Sequence, residues 1–193
     1  MVIMDEDIKQ NSTKRKILSA VISLIVVALL AFLSASLIKY YVTETFTVDG
    51  SSMTPTLSGG VYGNYDDGDR VVVNRFGKLK RGSIVVLKLP DRANALVKRV
   101  IGVSGDRIKI VDGVLFVNDE AQNEDYVAEE NKHITNPSYS MPEITVSDGC
   151  VFVLGDNRNG SADSREFGEV PVDYIEGKVF MILLENGGFK FVK

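Results

Sequence analysis

Ile108-Lys109-Ile110-Val111-Asp112-Gly113-Val114-Leu115-Phe116-Val117 reads as two short strands joined by a two-residue turn. Asp-Gly supplies the positive φ of a type I′ turn, and the flanking residues are mainly β-branched or aromatic. The same pattern extends outward in both directions. Upstream, Leu96-Val97-Lys98-Arg99-Val100-Ile101, Ile84 to Leu89 and Arg70 to Val73 are β-branched runs bounded by Gly or Pro. Val42 to Val48 alternates apolar residues with Thr, apart from Glu44. Downstream, Cys150 to Leu154, Val179 to Leu184 and Phe189 to Val192 complete the set. No stretch after residue 39 sustains a helical period, so the expected fold is mostly β, built on antiparallel sheet. Asp112 to Asp148 holds nine acidic residues against one Lys. It reads equally as an inserted β lobe, at about 112–148, or as a long solvated loop. His133 there is expected at the surface.

The first forty residues obey different physics. Ile17 to Ile38 carries no charge, no Pro and no Gly. At ~1.5 Å per residue a helix of that length spans ~33 Å, enough for a bilayer core of ~30 Å. Its apolar run exceeds the ~7–15 residues of a cleavable signal-peptide core, although Ser34-Ala35-Ser36 would serve as a cleavage site. It has no polar face, which argues against a core helix. The expectation is a retained transmembrane helix over 17–38, after a cytoplasmic tail over 1–16. Lys14, Arg15 and Lys16 outweigh Lys39, so the N-terminus is expected inside and 39–193 outside. Tyr40 and Tyr41 fall at the interfacial level.

Composition removes several function classes. One Cys and one His among 193 residues leave no disulfide framework and no multi-His or Cys-rich metal site, and disfavour a Ser-His pair. The formal net charge is −4, without a basic run beyond the N-terminus, so no nucleic-acid partner is expected. Residues 39–193 are themselves mildly acidic, with 18 Lys and Arg against 23 Asp and Glu. Cys150 is expected in the core of its strand.

Three features stand out chemically. Period 2 puts Lys98 on one face with Leu96 and Val100. If that face is core, the ammonium is desolvated and its pKa falls, making a general base near neutral pH; otherwise Lys98 is a snorkelling edge residue. Gly50-Ser51-Ser52-Met53-Thr54-Pro55-Thr56-Leu57 follows the first strand. A Ser in such a turn presents a nucleophile beside backbone N–H groups, although the composition is also that of an ordinary turn. Gly155-Asp156-Asn157-Arg158-Asn159-Gly160-Ser161-Ala162-Asp163-Ser164-Arg165 is a polar loop after an apolar strand. It reads as a structured loop held by ion pairs and Asx-turns, or as a Ca²⁺ site without the EF-hand pattern.

Taken in order, Ser52 to Leu57, Gly68-Asp69-Arg70-Val71-Val72-Val73, Lys98-Arg99-Val100-Ile101-Gly102-Val103-Ser104-Gly105-Asp106 and the 155–165 loop resemble the four boxes of bacterial type I signal peptidases. The resemblance, with the upstream helix, covers nearly the whole chain from Ile17. It implies a membrane-bound serine endopeptidase that removes signal peptides after a small-x-small motif, with no cofactor. Ser52 matches the nucleophile and Lys98 its general base, a Ser-Lys variant of triad logic. Ser161 matches the hydroxyl that orients the Lys amine, and Asp163 and Arg165 the pair that holds the loop. The Ser52 backbone N–H matches one oxyanion donor. Some relatives take the second from a Ser two residues earlier; here that position is Gly50, so backbone or water must supply it. Phe46, Val48, Leu57, Val71, Val86 and Leu96 match positions lining the substrate pockets.

The implied partners are signal peptides of exported preproteins, membrane lipid and the protein export machinery, at the plasma membrane of a bacterium. The substrate is expected to add as a strand at sheet edges near Leu87 and Leu96, and Met53, Pro55 and Phe76 are candidates for touching lipid or for ordinary packing. Two other readings stand beside this one: a self-cleaving Ser-Lys protease, which would carry a DNA-binding domain where this chain has its apolar segment, and an inactive anchored binding module of the same fold.

Overall fold

The computed structural model describes residues 2–60, 68–128, 140–183 and 187–192; within its first helix the side chains described are those of 14–37 and 42. His133 and Asn136-Pro137-Ser138 lie outside the described residues, as do the side chains of Tyr40 and Tyr41. The chain divides into two units, 1–42 and 43–193.

The first unit is one helix, α1 (Val2–Val42), which runs past both ends of the predicted 17–38 span. Nothing in residues 2–16 breaks a helix, and Val42, expected to open the first strand, instead closes α1. Every side chain from Lys14 to Leu37 is exposed. That stretch has a mean hydropathy of 2.8 and is long and apolar enough to cross a membrane.

The second unit is two antiparallel sheets. The strands of the larger are β1 (Thr43–Thr47), β2 (Arg70–Asn74), β3 (Ile84–Leu87), β4 (Leu96–Val103), β9 (Cys150–Leu154), β10 (Val170–Pro171), β11 (Ile175–Leu183) and β12 (Phe189–Phe191). Their order is β1-β2-β11-β3-β4-β9-β10, with β12 also on β11. The smaller sheet holds β5 (Arg107–Val111), β6 (Val114–Val117), β7 (Glu120–Ala121) and β8 (Met141–Thr145), in the order β7-β6-β5-β8. The hairpin turn is as read: Asp112 has φ 48° and Gly113 φ 80°. The small sheet begins at Arg107, ahead of the acidic stretch that marks the lobe in sequence, because acidity tracks its solvated part and not its first buried strand.

One turn of helix, α2 (Ser164–Phe167), begins at the end of the 155–165 polar loop. It is too short to leave a helical period in the sequence.

Strand β4 holds the site together. Its first half pairs with β3, from Leu96↔Leu87 to Arg99↔Ile84, and its second half also pairs with β9, from Arg99↔Leu154 to Val103↔Val151. A bulge lies between Val100 and Gly102. A Cβ on Gly102 would sit 2.3 Å from Ile108 Cδ1, so a side chain there would make the Ile108 end shift where the small sheet closes onto the bulge. Three apolar clusters flank this scaffold. Val48, Met53, Leu57, Val71, Val73, Ile84, Val86, Val97, Val179 and Ile182 form one. Ile101, Ile108, Ile110, Leu115, Val117, Val146, Phe152 and Leu154 join the two sheets. Val85, Leu87, Val100, Val151, Val153 and Val170 fill the opposite face, with Leu96 packed against them. Each such side chain contributes about 1.5–3 kcal/mol by leaving water.

One expectation needs correction, and one open alternative, lipid contact or packing for Met53, is decided for packing. Leu87 pairs with Leu96 on one side and Ile175 on the other, so it lies inside the sheet and offers no edge. Leu96 to Lys98 pair only with β3 in the registers described, since the β9 ladder starts at Arg99; the open edge is on β4 alone. Met53 is fully buried and cannot touch lipid, because its side chain pins the turn after β1 to the first cluster. Phe76 is 77% exposed, and Pro55 is exposed.

Candidate active site

The turn at 51–57 is built to hold one hydroxyl still. Met53 and Leu57 are both buried and anchor it from below. The Leu57 N–H donates to Met53 O and the Thr54 N–H to Ser51 O, closing the turn. Ser52 is left half-buried at its rim, with Ser51 more exposed. Gly50 has φ 73°, where a side chain is strained, which explains why no hydroxyl stands there.

Lys98 reaches Ser52 from β4. Its Nζ lies 2.8 Å from Ser52 Oγ and donates to Val97 O at 2.9 Å. The residue is 2% exposed, cross-strand from Val85, on the face that carries Leu96 and Val100. Burial brings the ammonium pKa down from 10.5 to about 8; the nearby Asp163 charge opposes this, Arg92 assists it and Asp156 opposes it. The core alternative for this face therefore holds over the snorkelling one. A neutral amine here keeps one N–H for Val97 O and a lone pair for the Ser52 proton.

The 155–165 loop closes over this pair. The Asn157 N–H donates to Ser52 O at 3.0 Å, and Asn157 Nδ2 to Ser51 O at 3.3 Å. Gly155 is the contact point: a Cβ there would lie 2.2 Å from Ser161 Oγ and 2.5 Å from Ser52 O. Asp163 is fully buried, accepts from the Gly155 N–H at 3.0 Å, and caps α2 by accepting from the Arg165 N–H. Arg165 Nε is 2.7 Å from Asp163 Oδ1, and its Nη2 donates to Arg158 O and Ser161 O. Asp163 and Arg165 thus sit together and hold the loop to itself. Ser161 Oγ is buried beside Gly155 and has no hydrogen-bond partner among the described residues, so the bond to Lys98 implied by the resemblance is not made in this geometry. The third hydrogen-bonding position on Lys98 Nζ is what such a hydroxyl would fill.

Of the pocket positions, Phe46, Val48, Leu57, Val71 and Val86 share the first cluster beneath the Ser52 turn. Leu96 packs on the third cluster, across the sheet from them.

Residues the sequence reading left unassigned complete the frame. Arg99, next to Lys98, is also buried, on the opposite face of β4. It grips Asp156 with two bonds, Nε to Oδ1 at 2.8 Å and Nη2 to Oδ2 at 2.6 Å. Thr56 Oγ1 donates to Asp156 Oδ2 at 2.5 Å, tying the 51–57 turn to the same carboxylate. The signal was available: the alternation that singled out Lys98 places Arg99 among Val97 and Ile101.

Comparison with known proteins gives a consistent result. The family model described as "Signal peptidase, peptidase S26" matches residues 19–184. A signal peptidase IB of Staphylococcus aureus (strain COL) is 35% identical over 182 residues, 86% of this chain and 88% of that protein. A signal peptidase I of Bacillus caldolyticus is 34% identical over 154 residues, 74% of this chain and 80% of that one. A crystal structure of a signal peptidase I from Enterococcus faecalis V583 is 31% identical, covering 53% of this chain and 97% of that one, with a TM-score of 0.46.

Proposed function

The chain belongs to the S26 signal peptidase family, and from that premise we propose that it is a membrane-anchored serine endopeptidase with Ser52 as nucleophile and Lys98 as general base. The observation that carries the proposal is the 2.8 Å approach of a buried, pKa-lowered Lys98 Nζ to Ser52 Oγ. In the first step the neutral amine takes the Ser52 proton as Oγ attacks the carbonyl carbon of the signal peptide's last residue. The resulting ammonium gives that proton to the leaving amine. Water, deprotonated by the same amine, then attacks the ester carbonyl; the Ser52 Oγ–C bond breaks and the ammonium returns the proton to Oγ, restoring both residues. The Ser52 N–H is one oxyanion donor, and with Gly50 lacking a side chain the second comes from backbone or water. Ser161, whose buried Oγ is without a hydrogen-bond partner among the described residues, is the hydroxyl that would fill the third position on the Lys amine during the reaction, while Asp163 and Arg165 keep the loop in place.

The substrate is a signal peptide with small side chains at alternate positions, added as a strand along β4 at Leu96–Lys98, where the β9 ladder has not begun. Phe46, Val48, Leu57, Val71 and Val86 form the apolar wall that favours small residues on one face of the sheet, and Leu96 lies on the other face at the β4 edge. Helix α1 spans the plasma membrane once, with its basic N-terminal side in the cytoplasm, and raises the effective concentration of enzyme near emerging preproteins.

The test is cleavage of a preprotein with an Ala-x-Ala site in vesicles holding wild type, Ser51→Ala or Ser52→Ala. Wild type and Ser51→Ala are expected to process it and Ser52→Ala to leave it intact. Equal activity of the two variants contradicts the assignment. Protease added to intact spheroplasts should digest 39–193; protection of that domain, while exported controls are cut, would reverse the orientation.

A further inference from the structure

The strand pair β6–β7 of the small sheet leads into a turn at Gln122–Val127 that leaves its own sheet and meets the 155–165 loop. The turn is fixed at both ends: the Gln122 N–H donates to Leu115 O, and Val127 is 3% exposed with its N–H on Glu124 O. Between these anchors it presents two side chains. Glu124 accepts from Arg158 through both carboxylate oxygens, from Nη1 at 2.8 Å and from Nη2. The Arg158 and Glu124 side chains are only 4% and 11% exposed. Tyr126 donates to Glu124 Oε1 at 2.9 Å, and Arg99 stacks over its ring at 4.0 Å from the centroid. Burial and the Glu124 carboxylate push the phenol pKa up, so it remains a neutral donor.

The two cations reached from this turn flank the hinge of the site. Arg158 Nε donates to Gly155 O at 3.0 Å, while Arg99 holds Asp156. Between those grips runs the Gly155–Asn157 backbone, which touches Ser161 and accommodates the Ser52 carbonyl. We propose that Glu124 and Tyr126 are positioning residues for the Ser52–Lys98 pair: the inserted lobe clamps the catalytic loop through Arg158 and Arg99. The inference rests on the endopeptidase reading for its kinetic consequence but on geometry alone for the clamp. Without Glu124 the guanidinium of Arg158 stays buried and unpaired, and is drawn toward water along with the Gly155 carbonyl it holds. Displacement of that backbone shifts Ser52 relative to Lys98, and misplacement by about 1 Å costs about 10²-fold in rate.

The experiment uses the full chain in vesicles, as wild type, Glu124→Gln, Tyr126→Phe and, as a lobe control, Asp119→Asn. The steady-state kcat and KM on a signal-peptide substrate are read alongside hydrogen exchange of peptides covering 155–165. Glu124→Gln is expected to lower kcat about 10- to 100-fold with KM within about threefold, and to speed exchange in the loop while the β5–β6 hairpin stays protected. Tyr126→Phe should lower kcat severalfold in the same pattern, and Asp119→Asn should match wild type. If Glu124→Gln does not fold, Tyr126→Phe decides by the same two readings. Loop exchange and kcat within twofold of wild type overturn the clamp. So does a loss of activity that tracks a uniform loss of protection across the domain. If wild type itself fails to cleave, the endopeptidase reading falls, and loop exchange alone then decides the clamp.

Discussion

The 155–165 loop and the outer face of the inserted lobe use the same chemistry to opposite effect. Arg99–Asp156 and Arg165–Asp163 have side chains at most 10% exposed. On the lobe, Arg107 and Lys109 share Asp119 and Glu143 with side chains 29–54% exposed. Water screens the second set, so its pairs contribute little to stability. The first set has left water and must keep every partner, which makes it a rigid frame more than a source of net stability. Lys98 sharpens the contrast. Its neighbour Arg99 has a carboxylate in direct contact, whereas the groups bonded to Lys98 Nζ are the Ser52 hydroxyl and the Val97 carbonyl. Among the described residues, Arg99 and Arg165 of the frame are bonded to carboxylates, whereas Lys98 Nζ is bonded to neutral groups and its proton is loosely held.

Removing one partner from the frame should give the largest effect. Asp156→Asn leaves Arg99 buried without its counter-charge and weakens the tie to Thr56, so a loss of about 3–5 kcal/mol is expected in chemical denaturation. A change below 1 kcal/mol would place this pair with the solvated ones.

Lys98→Met should move stability the other way. The Lys98 pKa falls from 10.5 in the unfolded chain to about 8 in the folded one. Below pH ~8 both states carry the proton, and the folded state bears the full cost of a buried ammonium, at most about 3 kcal/mol. Between pH ~8 and ~10.5 only the unfolded state is protonated, so wild-type stability rises with pH and the cost disappears. The Met variant should therefore be the more stable at pH 7, by an amount that shrinks toward pH 10, as read by urea midpoints. A variant less stable than wild type at pH 7 contradicts the desolvation argument.

Gly155→Ala probes fit instead of charge. The added methyl collides with Ser161 Oγ and the Ser52 carbonyl, so about a 10²-fold loss of kcat/KM is expected with the domain still folded. Unchanged kinetics would mean that the loop does not hold the turn. Asp119→Asn should be smallest, within ~1 kcal/mol in stability, since its partners remain solvated; a larger loss would erase the distinction between the two regions.

The fold was legible where one residue type settles the backbone. Asp112-Gly113 marked the hairpin, and the alternation in Leu96–Ile101 placed Lys98 on an apolar face. The Asp163–Arg165 half of the frame was expected from the resemblance, but the Arg99–Asp156 half was not, because it depends on long-range geometry. Thr56, Arg99 and Asp156 are distant in sequence, and no periodicity says that they converge. Glu124 was hidden for another reason: it sits in an acidic stretch where solvated charge is the default, and only the turn back toward Arg158 distinguishes it. Five of the pocket positions implied by the resemblance share a cluster, and the face of Leu96 follows from the β3–β4 register, which the run of residues does not disclose.

The most direct test of the Ser-Lys pair is kcat/KM against pH for a signal-peptide substrate, with wild type beside Lys98→Arg. In wild type the free base is the active form, so activity should climb with pH through about 8, the folded pKa of Lys98. An Arg guanidinium stays protonated throughout the working range and cannot take the Ser52 proton, so Lys98→Arg should be inactive at every pH. Appreciable turnover by Lys98→Arg, or a wild-type profile flat between pH ~6 and ~9, would contradict Lys98 as the general base.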